Sequence, residues 1–185
     1  MRLLKTYLFF LSILFITSCK KNNTDEETII VPNGDFELWD QSPALVSWQT
    51  NGCPLCLPPY DSYVVKKITD AYSGQFAAKF IYNGVYTSMA TIKFPVPSHP
   101  LSLTAYMKST VSANDTARID IDIFSGTNIV DKGNWLETSS SAAYRQINIP
   151  ITQNAASADS ARITIMGGKI LNTVLYVDAL VLSKK

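Results

Sequence analysis

Two aspartates stand two residues apart in "ARIDIDIF" (117–124), a spacing that could do chemistry. A pair of carboxyl groups cleaves glycosidic bonds when it flanks the sugar at about 5–5.5 Å or 6.5–9.5 Å. Residues i and i+2 of a strand lie about 7 Å apart on one face, so Asp120 and Asp122 meet the distance requirement. Arg118 shares their face, however, and makes the group a solvated charge ladder. Motifs that activate a nucleophile or a water are missing: there is no G-x-S-x-G and no H-E-x-x-H, and the single histidine, His99, sits in the turn "PSHP". The sequence predicts a protein that is not an enzyme.

Aromatic rings offer a different chemistry. They stack on the apolar faces of sugar rings, while amides, carboxylates and guanidinium groups bond the hydroxyls. Tyr86, Tyr106 and Trp135 fall at outward or loop positions, and with Arg118, Asp120 and Asp122 they form the expected ligand-binding set. Lys108, Gln146 and Asn148 are expected to share one concave sheet surface with Tyr106 and the charged trio.

Two further acids look misplaced. Glu37 lies among the aromatics of "NGDFELW", and Asp178 interrupts the apolar run "LYVDALVL". A buried carboxylate is costly unless it is paired, hydrogen-bonded or bound to a cation. The pair Cys53 and Cys56 in "GCPLC" has too few companions for a four-ligand zinc site and no βαβ context for a redox motif. A short disulfide in a proline-rich loop is the expectation. The formal charge of +1 and the lack of basic clusters exclude a nucleic-acid partner.

These residues must be positioned by strands. "LSLTAYMKS" (101–109), "TARIDIDIFSG" (116–126) and "YRQINIPI" (144–151) alternate apolar and polar residues with a period of two, the pattern of half-buried antiparallel strands. Further strands are expected at 63–69, 75–82, 86–94, 128–137, 161–166 and 173–182, with "VPNGDFELWD" as the first strand of the domain. The final strand carries apolar residues on both faces, so it is expected to be central and covered on both sides, at least in part. No segment has a sustained helical stripe. Some ten short strands without helices predict a β-sandwich or barrel.

The first residues, "MRLLKTYLFFLSILFITSC", have a charged start, a short apolar run and a small-residue cleavage site. "ITSC" resembles a bacterial lipobox, which implies cleavage after Ser18 and lipidation of Cys19. The organisation expected is a signal peptide over 1–18, a lipidated cysteine and flexible linker over 19–29, and one domain over 30–185. The polar run "KKNNTDEET" is too poor in apolar residues to fold. Its acids loosely resemble tags that send lipoproteins to the cell surface, so an outer-membrane, lipid-anchored location is expected.

"NGDFELW", Trp48 in "VSWQT", "AYSGQFAAKF" and "LYVDALVL" resemble, in order, the jelly-roll carbohydrate-binding modules with a galactose-binding-like fold. The resemblance runs from about Val31 to Leu182 and implies a single sandwich of two antiparallel sheets. It also implies non-catalytic binding of a poly- or oligosaccharide. In that family a calcium ion often joins the first and last strands, which maps onto Glu37 and Asp178, although Ala179 replaces a second aspartate of the closing motif. The backbone-acceptor role remains open for both acids. The alternative function is a protein-binding accessory subunit of a surface glycan-uptake complex.

Overall fold

The computed structural model describes residues 27–41, 44–51, 64–152 and 157–184. Cys19, Cys53, Cys56 and the expected signal peptide lie outside the described residues. Among these residues there is no helix, and hence none long and apolar enough to cross a membrane.

The strands are β1 (Thr28–Ile30), β2 (Gln49–Thr50), β3 (Val65–Ile68), β4 (Ala77–Ile81), β5 (Met89–Pro95), β6 (Ser102–Thr110), β7 (Ala117–Ser125), β8 (Asn128–Glu137), β9 (Ser141–Pro150), β10 (Ser160–Met166) and β11 (Val174–Ser183). One sheet runs β3-β4-β11-β6-β9, with β1 also paired to β11; the other runs β2-β5-β10-β7-β8. Every named pair is antiparallel. The expected all-β sandwich of two antiparallel sheets is what the chain forms.

Alternation of side chains across each strand builds the core between the sheets. Leu103, Ala105 and Met107 of β6 face Ile119, Ile121 and Ile123 of β7 across the sandwich, joined by Ile147 and Ile149 of β9 and Ile163 and Ile165 of β10. All of these are buried. Burying such side chains contributes about 1.5–3 kcal/mol each, which is what lets the outer faces carry charge.

Two sequence expectations are corrected. "VPNGDFELWD" is not a strand: it is a series of turns with an isolated bridge, Trp39 to Leu45. Asn33 and Phe36 both adopt positive φ, at 48° and 53°, which a regular strand forbids. Phe36 nevertheless enters the core with no exposure, and its ring lies 5.5 Å from that of Trp48.

The second correction concerns β11. It is central, between β4 and β6, and its outer face is covered in part, where Asp178 lies buried beneath the loop at Tyr72 and Ser73, but its doubly apolar pattern comes from a bulge. Between Asp178 and Val181 the register shifts, and Ala179 takes φ 51°. The extra residue exchanges the faces. Leu175 and Val177 point inward before the bulge, Leu180 and Leu182 after it, while Val181 is exposed. Gly34 docks on this bulge: its carbonyl accepts the Leu180 N–H at 2.8 Å. A Cβ on Gly34 would lie 2.8 Å from the Leu180 carbonyl oxygen, so glycine is required there by close approach.

Candidate ligand-binding face

The outer face of the five-stranded sheet is organised by its register. Cross-strand partners stand about 4.8 Å apart, and same-face residues along a strand stand about 7 Å apart. Three rows result. Lys93, Arg162, Asp122 and Lys132 make a charged row across β5, β10, β7 and β8. Gln49, Thr91, Thr164, Asp120 and Asn134 make a hydrogen-bonding row beside it. Met89, Met166, Arg118 and Leu136 make a third row that is mostly apolar.

A cleft of about 570 Å³ lies over the centre of these rows, lined by Arg118, Asp120, Asp122, Lys132, Asn134, Arg162, Thr164 and Met166, with Thr152 on its rim. It continues over β5 towards Gln49, Met89, Thr91 and Lys93. Arg162 holds Asp122 through its Nε at 3.1 Å and its Nη2 at 2.6 Å. Arg118 Nε lies 3.0 Å from Asp120 Oδ2. Burial pushes the Asp120 carboxyl above the usual carboxylate range; Arg118 opposes this and Asp122 adds to it. The Thr91 and Thr164 hydroxyls lie 3.1 Å apart, and Thr91 also donates to the Ile163 carbonyl. Most polar groups on the floor of the cleft are thus oriented before any ligand arrives.

Arg118, Asp120 and Asp122 of the expected set are brought together here. The others are not. Tyr106 projects from the six-stranded sheet, on the opposite side of the sandwich, as do Lys108, Gln146 and Asn148. The expected single surface is therefore two surfaces. Trp135 is the cross-strand partner of Ile119 and packs on the core side of β8. Its indole N–H donates to Glu137 Oε2 at 3.4 Å, and the Arg145 guanidinium stands 5.3 Å from its ring. Tyr86 is exposed in the β4–β5 connection, where its backbone N–H donates to Asn83. The residues that sequence reasoning missed are Lys93, Lys132, Asn134, Arg162, Thr164 and Met166. Each holds an outward position in an alternating strand, but only the pairing order places them beside Asp120 and Asp122.

On the opposite face, the loop from Asp70 to Phe76 folds down over β6 and β11. Tyr72 stacks on Tyr106 with centroids 3.5 Å apart and planes at 10°. Asp70 pairs with Lys108, and its carbonyl accepts from the Tyr144 hydroxyl at 2.7 Å. Burial, Asp178, Asp70 and Tyr176 together push the Tyr144 hydroxyl up. The stacked ring of Tyr106 is thus occupied with holding a loop.

Glu37 and Asp178 converge on that same loop. Asp178 Oδ2 accepts the N–H groups of Tyr72 at 2.8 Å and Ser73 at 2.9 Å, and Oδ1 accepts that of Ala179 at 2.7 Å. Glu37 Oε1 accepts the N–H groups of Gln75 at 2.8 Å and Phe76 at 3.0 Å. Gly74, with φ 66°, lies against the Glu37 carboxylate and has no room for a Cβ. A calcium ion wants six to eight oxygens. Here the backbone turns N–H groups toward the two carboxylates, so the donor set does not fit that ion. Among the described residues no group of three or more His, Cys, Asp or Glu side chains converges elsewhere.

Comparison with solved structures agrees with this architecture. A family 61 carbohydrate-binding module, solved in complex with β-1,4-galactotriose, superposes with TM-score 0.54 at 12% identity, covering 83% of this chain and 97% of that one. The chain shares its jelly-roll sandwich fold with that module. The enzymatically active domain of tailspike protein 4 from bacteriophage CBA120 matches with TM-score 0.55 at 12% identity, over 83% of this chain but only 21% of that one. A family 16 carbohydrate-binding module matches over 69% of this chain and 89% of that one, at 18% identity and TM-score 0.48. No family model and no curated protein sequence matches the chain.

Proposed function

We propose that the chain binds a glycan, without catalysis, in the cleft on the five-stranded sheet. The observation that carries this reading is the three-row arrangement. Apolar Met89 and Met166 offer surface to the carbon face of a sugar. Thr164, Asp120 and Asn134 offer donors and acceptors to its hydroxyls, and Asp122 with Arg162 adds a fixed charge pair. Small-ligand sites combine apolar lining with a few convergent polar groups in this way. Solved modules of the same fold, one of them a complex with a galactotriose, support the choice of ligand class.

Binding of the full chain to a panel of soluble polysaccharides, read by affinity electrophoresis, tests this. Asp120→Ala and Asn134→Ala are expected to weaken binding by about 10–100-fold each, the cost of one hydrogen bond to a charged or polar partner. Retention unchanged in both variants, or no retention on any polysaccharide, overturns the reading.

The same proposal includes export and anchoring through lipid on Cys19, supported by the leader and by "ITSC". A single lipid signal gives marginal membrane attachment and two give stable attachment. Cys19→Ala is expected to move the chain from the membrane to the soluble fraction after cell lysis. Equal membrane recovery of the variant rejects the anchor.

A second reading, a protein-binding accessory subunit at the cell surface, is favoured by one observation. Val85 and Tyr86, at the tip of the β4–β5 connection, and Ile170 and Leu171, in the loop before β11, are all exposed, and Gly84 lies beside Leu171. Clustered apolar exposure of this sort marks interaction surfaces.

A further inference from the structure

Charge in the cleft is not balanced. Four cationic side chains, Lys93, Arg118, Lys132 and Arg162, face two carboxylates, Asp120 and Asp122. Both carboxylates are already engaged by arginines, Asp120 by Arg118 and Asp122 by Arg162. The surplus therefore resides on the two lysines at the ends of the charged row. Lys93 Nζ lies 4.0 Å from the Phe124 ring centroid. Asp159, the acid that feels Lys93, is held by the Gly126 N–H and the Ser160 hydroxyl. Lys132 is exposed, and its ammonium makes no ion pair or hydrogen bond among the described residues. Its sequence neighbour Asp131 is turned away, its carboxylate buried 2.5 Å from His99 Nε2.

We infer that the cleft selects an anionic glycan, one that carries uronate carboxylates or sulfate esters, and that Lys132 is the residue that reads the charge. The inference rests on glycan binding in this cleft and specifies its ligand. The physical reason is directional. A neutral sugar spanning the rows satisfies the hydroxyl, amide and carboxylate groups of the central row but leaves the ammonium of Lys132 facing water. A sugar bearing an anionic substituent over the charged row meets a cation that no described residue holds in an ion pair or hydrogen bond. Asp122 does not repel it strongly, because its charge is held by Arg162 in two hydrogen bonds and such charge-assisted pairs are compact and strong. Lys132 lies about 4.8 Å along the row from Asp122, on the side away from Arg162, so an anion reaches it without displacing the pair.

The experiment compares matched ligands by titration calorimetry on the full chain. One arm uses oligogalacturonate and the same oligosaccharide fully methyl-esterified. The other uses sulfated galactan oligosaccharides and their desulfated forms. In at least one arm the anionic form is expected to bind about tenfold or more tightly than its neutral counterpart, in line with charge pairs in a confined site. The arm that shows the preference identifies carboxylate or sulfate as the group read. The preference should shrink in about 1 M NaCl, where the screening length falls to about 3 Å, and the ratio should fall toward one in Lys132→Ala. A neutral form that binds as tightly as the anionic one in both arms overturns the inference and leaves glycan binding standing. A preference that Lys132→Ala does not reduce overturns the role of Lys132. Absence of binding in every arm removes both the inference and the glycan reading on which it rests.

Discussion

Replacing Asp178 with alanine lowers the stability of the domain by about 3 kcal/mol, because three partly buried N–H groups lose a carboxylate acceptor at about 1 kcal/mol each. For a domain of this size that is a fall in Tm of about 6–12 °C. The three donors come from two parts of the chain, the loop at Tyr72 and Ser73 and the bulge at Ala179. Asp178 itself has no exposure, whereas Tyr72 and Ser73 lie on an exposed loop, so the donors that water reaches recover part of the loss. Asp178→Asn keeps one oxygen on the Tyr72 and Ser73 donors but turns an amide N–H₂ toward the third, so its loss is expected to fall between wild type and alanine. Calcium chelation separates this account from a metal-based one. A donor set made of N–H groups predicts a melting temperature that a chelator leaves unchanged. A fall in Tm on chelation comparable to that of Asp178→Ala would replace the hydrogen-bond account, because a ligand that binds the native state raises its apparent stability.

Gly133→Val has the second large effect, about 1–3 kcal/mol of destabilisation from overpacking, together with a change at the cleft. Gly133 lies in β8 opposite Ile121. A Cβ there would stand 2.6 Å from the Pro150 carbonyl oxygen and 2.9 Å from Ile149 Cγ2. Neither contact is the yielding tip of a long side chain; one is backbone. The end of β9 must move away, and with it Thr152, whose N–H donates to the Lys132 carbonyl at 3.5 Å and which forms part of the cleft wall. Thermal unfolding and glycan affinity should therefore decline together in this variant. A loss of stability with full affinity would detach the β9 end from the site.

How far the sequence could be read depended on what sets each feature. In-or-out placement was legible, because the period of two is local. Ile119, Ile121 and Ile123 point inward and Arg118, Asp120 and Asp122 outward, as their alternation predicts. The span of β8 was read to the residue. Which outward faces share a sheet was not legible, since pairing order is a property of the whole chain. Tyr106 and Asp120 have the same alternation and lie on opposite sides of the sandwich. The bulge in β11 also hid in plain view: a doubly apolar strand and a strand whose faces switch at Ala179 have the same composition. The chemistry of Trp135 predicts an outward ring, whereas its position opposite Ile119 puts it on the core side. Phe36 could be assigned to the core from its type, but the left-handed backbone that takes it there could not.

The pairing of β1 with the last residues of β11 has a mechanical meaning. Thr28 pairs with Ser183 and Ile30 with Val181, the Lys184 N–H donates to the Glu27 carbonyl, and the side chains of Lys184 and Glu27 pair as well. A pull applied ahead of Thr28 and directed across the strand loads these bonds one after another, as a zipper opens. Three residue pairs yield before the force reaches Gly34 and the buried ring of Phe36. Since β1 belongs to the six-stranded sheet, tension there is absorbed by a short sacrificial strand while the five strands beneath the cleft stay in register.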